Sequence, residues 1–542
     1  MRLPVKPNAV DRLVSVFSPR RGLERLKARA ALHLVTGGGG YDAGRSDSPG
    51  LKSYNPSNGS GITDIHPGLG KIRERSRDLV RNDAIASGAV ANLVGNAIGT
   101  GLRAKPNVDR IALGLTDAQA DEWEALAERF WTLWAETPAE CHISGRLTFD
   151  EQLALVVRSI GESGDILHIR RYLWDGERQR PKYGAKFATK VQLVEADRVS
   201  NPNNVADTSA IAGGVEIDEN GRHVRFHVRD THPGEMLHAA GDIWRPVPAF
   251  NPKNGRPVAT LLFETIRVDQ RRGVPWVAAI VEPLLQLKRW SQAELDAAVV
   301  SALFTVFVTG SIDPEGGGPL DNVIGGEEGY EPGKGEISMG QASVIDLGDG
   351  EDVKFADPKR PNAQFDPFWL ANVRAIGIAL QIPYEVLIQH FSSSYSASRA
   401  AMLEAWRTYR GWRKKAIRWL AQPCYEELID ECVIRGMLIA PGYFEDPLVR
   451  QAYLRVDWTG DAMPQLDPLK EVGAAKVRIE EGLSTREREA RELNGTSWEA
   501  NHRQRVREET ARMESGLTSP ALPDAAFIDN DARQLPETTE AA

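Results

Sequence analysis

The stretch that decides the fold is residues 309–350, TGSIDPEGGGPLDNVIGGEEGYEPGKGEISMGQASVIDLGDG. It holds twelve glycines and nine carboxylates (Asp313, Glu315, Asp321, Glu327, Glu328, Glu331, Glu336, Asp346, Asp349) against one base, Lys334. Such a segment cannot be core, and a Gly-rich run of this length between two helices is functional or disordered. On its N-terminal side, Pro275 to Val308 reads as helix, with Pro283 starting or kinking it. On its C-terminal side, Asp366-Pro367 restarts a helix whose apolar face (Phe368, Leu370, Val373, Ile376, Leu380) runs to Ile382-Pro383. A polar bridge, His390-Phe-Ser-Ser-Ser-Tyr-Ser-Ala, then leads into a long helix from about Ser398 to Arg435. Seven bases and one acid, Glu404, lie between Ser398 and Arg418, and four large aromatics, Trp406, Tyr409, Trp412 and Trp419, lie between Ser398 and Trp419. A nucleic-acid stripe is one reading. An amphipathic helix is preferred, because Met402, Trp406, Tyr409 and Leu420 recur at helical spacing.

Further out, the first 40 residues are basic and read as an amphipathic helix over about Asp11 to Leu34. Leu69 to Gly99 carries apolar residues at helical spacing. Thr116 is a candidate cap for a helix to Trp134 with Trp123, Leu126, Phe130 and Leu133 on one face. From Ile166 to Ile266 the period shortens to partly alternating strands with a turn at Glu219-Asn220-Gly221, which indicates a small β-rich module. Asp467 to Leu517 returns to helix, with Ser484 and Glu487 as a possible capping box, and the residues from Ser519 are Pro- and acid-rich.

The 542 residues carry 66 Lys+Arg against 75 Asp+Glu, a net charge of −9, with 42% hydrophobic residues. That balance gives a globular chain and argues against one that wraps DNA through a basic footprint. Three cysteines without Cys-x-x-Cys spacing fit a reducing compartment; no signal peptide and no membrane span is expected. Known catalytic motifs are missing. Gly333-Lys334 is followed by Gly335 and preceded by Glu328 where a phosphate-binding loop needs glycine. Gly161-Glu-Ser-Gly-Asp165 fails as a nucleophile elbow and reads as a helix terminus. His223, His227, His232 and His238 lack the companions of a zinc site, so no metal and no cofactor is expected.

In order, several segments resemble the lambda-type family of tailed-bacteriophage portal proteins. They are Arg73-Glu-Arg-Ser-Arg-Asp-Leu-Val-Arg-Asn82 through Gly99-Thr-Gly101-Leu-Arg, Arg272-Gly-Val-Pro-Trp276, Ile378-Ala-Leu-Gln-Ile-Pro-Tyr-Glu385, Tyr395-Ser-Ala-Ser-Arg399 and Asp467-Pro-Leu-Lys-Glu471. Gln381 stands where glycine is expected. The resemblance implies an α+β, mainly helical portal-type protomer and a non-enzymatic ring of about twelve copies with a central channel, built on heterologous contacts. It maps residues 1–270 to an N-terminal arm and wing, with the β module at about 166–266, and 271–308 to a first stem helix. Residues 309–360 become the clip, 361–385 a second stem helix, and 386–397 the tunnel loop. Residues 398–440 become the long helix, 441–517 a crown-like region and 518–542 a flexible acidic tail. The implied place is the capsid portal vertex of the virion, after assembly in the host cytoplasm. The implied partners are the terminase, the major capsid or scaffold protein, neck and tail adaptors, and double-stranded DNA passing without sequence recognition. Twelve helices spaced at about 9 Å leave a bore of roughly 24 Å, enough for a duplex.

A channel in which DNA must slide cannot hold phosphates tightly. The clip carboxylates Asp313, Glu315, Glu327, Glu328, Glu331 and Glu336 are therefore expected to repel DNA and to meet a basic partner. His390, Phe391, Ser392, Ser393, Ser394, Tyr395 and Ser396 are expected to brush the duplex. Lys288, Arg289, Arg410, Lys414 and Lys415 would either damp its passage through weak phosphate contacts or bridge neighbouring subunits. The alternatives are another structural ring of a phage neck or tail, and a metal-dependent DNA-processing enzyme.

Overall fold

The computed structural model describes residues 8–36, 53–176, 180–235, 243–302, 306–309, 352–355, 365–391, 394–463 and 468–517. It divides into two compact units at Asp64 and Ile65. In the first, α1 (Ala9–Phe17) and α2 (Pro19–Thr36) pack together. The single helix expected over Asp11 to Leu34 is broken at Ser18, because Pro19 disfavours the helical region for the residue before it.

The second unit is mainly helical with small antiparallel sheets. The boundary falls within α3 (Gly61–Asn82), and α4 (Ala84–Ala97) follows. These replace the continuous run read over Leu69 to Gly99: Asp83 leaves the helical region and caps α4, accepting from Ile85 N and Ala86 N at 3.0 Å each. There follow β1 (Arg103–Pro106), α5 (Arg110–Leu113), α6 (Asp117–Glu136), α7 (Pro138–Cys141) and α8 (Phe149–Ser163). Thr116 caps α6 in a full capping box with Gln119. The buried face of α6 is Ala120, Trp123, Ala127, Trp131 and Trp134, however, and the expected core residues Leu126 and Leu133 are exposed. Trp131 and Trp134 win that face by packing on Phe149, at ring separations of 5.0 and 5.4 Å.

The β module comprises β2 (Asp165–Tyr172), β3 (Trp174–Asp175), β4 (Arg180–Pro181), β5 (Thr189–Glu195), β6 (Ile211–Ala212), β7 (Val215–Ile217), β8 (His223–Arg229), β9 (Trp244–Pro248) and β10 (Ala259–Phe263). Its main sheets have the orders β10-β2-β5 and β6-β7-β8-β9. Strand β2 is buried on both faces. Leu167 and Ile169 join the core of the β module with Val194, Phe226 and Leu261, whereas Ile166 faces the helical core. Two-sided burial explains why its sequence alternates so poorly.

Next come α9 (Val281–Ala302), β11 (Val306–Thr309), β12 (Asp352–Phe355), α10 (Phe365–Leu380), α11 (Tyr384–Leu387) and α12 (Tyr395–Ala416). Helix α12 passes through a π-helical turn at Ile417–Ala421 into α13 (Gln422–Ile434). Pro423 has no N–H for a carbonyl four residues back, and Gln422 N reaches Ile417 O, five back. The chain finishes with α14 (Pro447–Tyr453), β13 (Val456–Thr459) paired to β1, α15 (Pro468–Glu480), α16 (Arg486–Asn494) and α17 (Trp498–Glu514). The cap of α16 is Thr485, not the expected Ser484, and Glu487 instead binds Lys105 and accepts from Trp498 N. No helix among the described residues is long and apolar enough to cross a membrane.

Candidate functional site

Helix α9 buries Leu284 and Leu287, one helical turn apart, and packs against α10, which buries Val373, Ile376 and Leu380. Trp290 fastens the pair, stacking on Phe365 at 4.6 Å and meeting Phe368 edge-on at 4.6 Å. Farther along α9, Leu295 and Val299 are exposed, at 58% and 55%. Strand β11 follows α9 and β12 precedes α10, and the two pair antiparallel from Val306↔Phe355 to Thr309↔Asp352. The acidic segment between them therefore leaves and re-enters on neighbouring strands, roughly 5 Å apart. Asp313, Glu315, Glu327, Glu328, Glu331 and Glu336 lie outside the described residues.

At the end of α10, Gln381 takes φ 56°, the left-handed conformation for which glycine was expected. Ile382 N then donates to Gly377 O at 2.9 Å, the 6→1 bond of a helix-ending αL turn. Gly377 has no room for a side chain, since a Cβ would stand 2.6 Å from Ile382 O. The next segment is anchored to α4: Asn92 donates to Val386 O at 3.3 Å and accepts from Tyr409 Oη at 3.1 Å, while Thr408 Oγ1 donates to Gln381 O at 2.8 Å. Within that frame His390 and Phe391 are exposed, Ser394 is the N-cap position of α12, and exposed Ser396 lies 3.3 Å from it, hydroxyl to hydroxyl. Tyr395 is the first residue of α12, which starts three residues before the expected Ser398; Ser392 and Ser393 lie outside the described residues.

Helix α12 buries Ala405, Tyr409, Trp412 and Ala416. Tyr409 and Trp412 are thus packed and Trp406 is half-buried, as the amphipathic reading required. Among the five singled-out bases, Lys415 is ion-paired with Glu264, and Lys288 Nζ donates to Asn82 O at 3.4 Å. Arg289, Arg410 and Lys414 are exposed.

A buried ion network holds these helices to the β module. Asp165 sits where α8 passes into β2 through Gly164, whose φ is 89°. Its carboxylate accepts from Arg73 Nη2 at 2.9 Å, Arg272 Nε at 2.8 Å and Nη2 at 2.9 Å, and Gly273 N at 2.9 Å. Burial pushes this carboxyl up, but the guanidiniums of Arg272 and Arg73 outweigh it and hold it below its ordinary 3.8. Burial likewise disfavours the charged form of Arg73 and lowers its guanidinium to about 10. Gly164 and Gly273 cross backbone to backbone, and a Cβ on Gly273 would stand 1.9 Å from Gly164 O. Asp165 was missed as an anchor; the signal lay in two arginines, Arg73 and Arg272, from separate stretches that carried the family resemblance.

The family model described as phage portal protein, lambda family, matches residues 47–413. The chain belongs to that family. It is 27% identical over 526 residues to the portal protein of Escherichia phage N15, covering 93% of this chain and 95% of that one. It is 27% identical over 518 residues to portal protein B of Escherichia phage lambda, covering 92% and 94%. Among solved structures, a chain in the neck of an empty gene transfer agent particle aligns at a TM-score of 0.41 with 12% identity, over 78% of this chain and 92% of that one. Phage portal proteins are structural components of the virion, and the family implies an oligomeric ring in the capsid.

Two further clusters of this portal protein are structural. On α13, Glu431 accepts from Ala188 N at 2.8 Å and Thr189 N at 2.9 Å, Asp430 receives Tyr443 Oη at 2.8 Å and Arg450, and Glu427 meets Arg170. Burial pushes the Glu427 carboxyl up to about 7 despite that arginine. Glu195, Asp197 and His232 bring ligand-type atoms within 4.8 Å of one another. A cation there would have to compete with Arg77, which touches both carboxylates, and with Arg73, 3.4 Å from Asp197.

Proposed function

We propose that copies of this chain close into a ring of about twelve around an axial channel at one capsid vertex, through which double-stranded DNA is packaged and later ejected. In this reading α9 and α10 are the stem, 309–360 the clip, 386–397 the tunnel loop, and 441–517 the crown. The clip docks the packaging terminase and then neck and tail proteins, and assembly takes place in the host cytoplasm with the capsid or scaffold protein.

The observation that carries the reading is the base of the acidic insertion, where two helices of a portal-family chain are joined through paired strands. A Gly-rich, carboxylate-rich loop held at both ends suits a protruding clip that repels phosphates and offers an anionic face to a basic partner. His390, Phe391, Ser394 and Ser396, together with Ser392, Ser393 and Tyr395, suit a loop that touches DNA without gripping it. Lys288 and Arg289 on α9 suit weak, damping phosphate contacts; Lys415, already paired with Glu264, suits them less. Electron microscopy of the purified protein tests the whole. Rings whose axial opening admits a 20 Å duplex are expected, on the order given by packed helices. A chain that stays single at high concentration and inside assembling particles overturns it.

A further inference from the structure

Two helices of this chain carry mirror-image charge. Helix α12 holds six bases (Arg399, Arg407, Arg410, Arg413, Lys414, Lys415) against one acid, Glu404. Four of those bases are engaged within the chain: Arg413 donates to Ala97 O and Asn96 O, Lys415 pairs with Glu264, Arg399 with Glu471, and exposed Arg407 with Glu404 one turn back on the same helix. On the exposed face lies a stripe of Arg407, Arg410 and Lys414, continued by Arg418 in the π-helical turn, of which only Arg407 has an acid beside it. Helix α6 holds six acids (Asp117, Asp121, Glu122, Glu124, Glu128, Glu136) against one base, Arg129. Its stripe is Asp117, Asp121 and Glu128, with half-buried Glu124 between them; Asp117 pairs with Arg110 and Glu124 accepts from Val108 N, which leaves Asp121 and Glu128 as the acids to be matched. The steps are 3, 4 and 4 residues on one helix and 4, 3 and 4 on the other. Each stripe spans eleven residues, about 16 Å of helix. Among the described residues, no ion pair is formed by Arg410, Lys414, Arg418, Asp121 or Glu128.

We infer that the basic stripe of α12 docks on the acidic stripe of α6 in a neighbouring copy of the same chain. The inference rests on the ring reading and gives it one of its heterologous contacts. A heterologous interface needs two different, complementary patches on each subunit, and these two match in length and helical period and are opposite in sign. The stripe on α12 could equally attract phosphates by charge alone, but DNA would leave the acidic stripe of α6 without a role, whereas a second copy uses both. Arg410 and Lys414 are thereby assigned to the subunit contact.

The test is a charge swap. Arg410→Glu with Lys414→Glu puts two acids into the α12 stripe of one variant; Asp121→Lys with Glu128→Lys puts two bases into the α6 stripe of another. Each alone is expected to need about tenfold more protein than wild type to form rings at 0.15 M salt, because like charges then face each other. Mixed in equal amounts the two variants should assemble as wild type does, each supplying the patch its neighbour lacks. That recovery also shows both variants to be folded. The inference is overturned if either variant assembles normally alone, if the mixture does not recover, or if the α12 variant keeps its rings and loses only DNA retention. Wild-type chains that never form rings would sink the ring reading itself, whereas wild-type rings that survive the reversals sink this contact alone.

Discussion

Asp165→Asn tests the junction between helices and β module most directly. The substitution keeps the shape of the side chain and removes one negative charge from a site with 0% exposure. Asparagine would retain one acceptor oxygen and turn an amide N–H₂ toward a guanidinium that has nothing to accept it. Arg73 and Arg272, 4% and 2% exposed, would then share only Asp197, 3.4 Å from Arg73, and the backbone carbonyls of Ser163, Ala196, Val199 and Gly213. Removing one partner of a buried ion pair costs about 3–5 kcal/mol, because the other charge stays buried without compensation. Urea unfolding followed by tryptophan fluorescence reads this well, since Trp123, Trp131 and Trp134 lie in the adjoining core. The pH dependence gives a second check. A carboxyl held below its ordinary 3.8 contributes stability that is complete above that value and is lost as pH falls through the lower, folded-state value. Wild type should therefore lose stability more steeply below pH 3.8 than the variant does. A loss under about 1 kcal/mol at neutral pH, in the range of an exposed ion pair, would refute the claim that this network holds the module in place.

Gly273→Ala should cost about 2–3 kcal/mol in the same assay, since its Cβ would sit 1.9 Å from Gly164 O and the two backbones would have to part; an unchanged midpoint refutes that crossing. Fully buried His168 has no hydrogen-bond partner on either ring nitrogen among the described residues, and burial holds its pKa well below 6.5. Its folded form is neutral while the unfolded imidazole gains a proton, so stability should fall as pH drops below 6.5, and His168→Leu should flatten that slope; an equal slope refutes the assignment. Gln381→Gly should raise stability by about 0.5 kcal/mol, the left-handed penalty of a side chain less the entropy glycine loses, and a decrease would show Gln381 to be unstrained. A photocrosslinker at Ser394 should capture DNA in filled heads; failure to do so removes the tunnel-loop assignment.

What the sequence disclosed was what neighbouring residues decide. Thr116 caps its helix as read, and Gln119, three residues on, completes a capping box with it. The turn at Glu219-Asn220-Gly221 is likewise local, with Gly221 at φ 78° joining β7 to β8. Residues 309–350 announced themselves as an insertion because their composition forbids a core. Periodicity alone, by contrast, could not say which side of α6 would meet α8: Leu126 and Leu133 have the right spacing, but Trp131 and Trp134 have the partner, Phe149. Nor could it place the break in α3–α4, where a single carboxylate at Asp83 supplies a cap within an otherwise unbroken helical pattern.

The parts that stayed hidden share one cause, long separation along the chain. Asp165 meets Arg73 across 92 residues and Arg272 across 107, and β11 meets β12 across the whole acidic insertion. No window of sequence contains both partners. Yet two of the stretches that carried the family resemblance, around Arg73 and around Arg272, converge on that one carboxylate, and the glycine after Arg272 is the residue whose missing Cβ lets the backbones cross. The motif residues are therefore those that fix the helical body to the β module. That buried junction is why Asp165→Asn should weaken the fold itself, while the α12 and α6 charge reversals, made at exposed positions, should leave the fold intact and change only assembly.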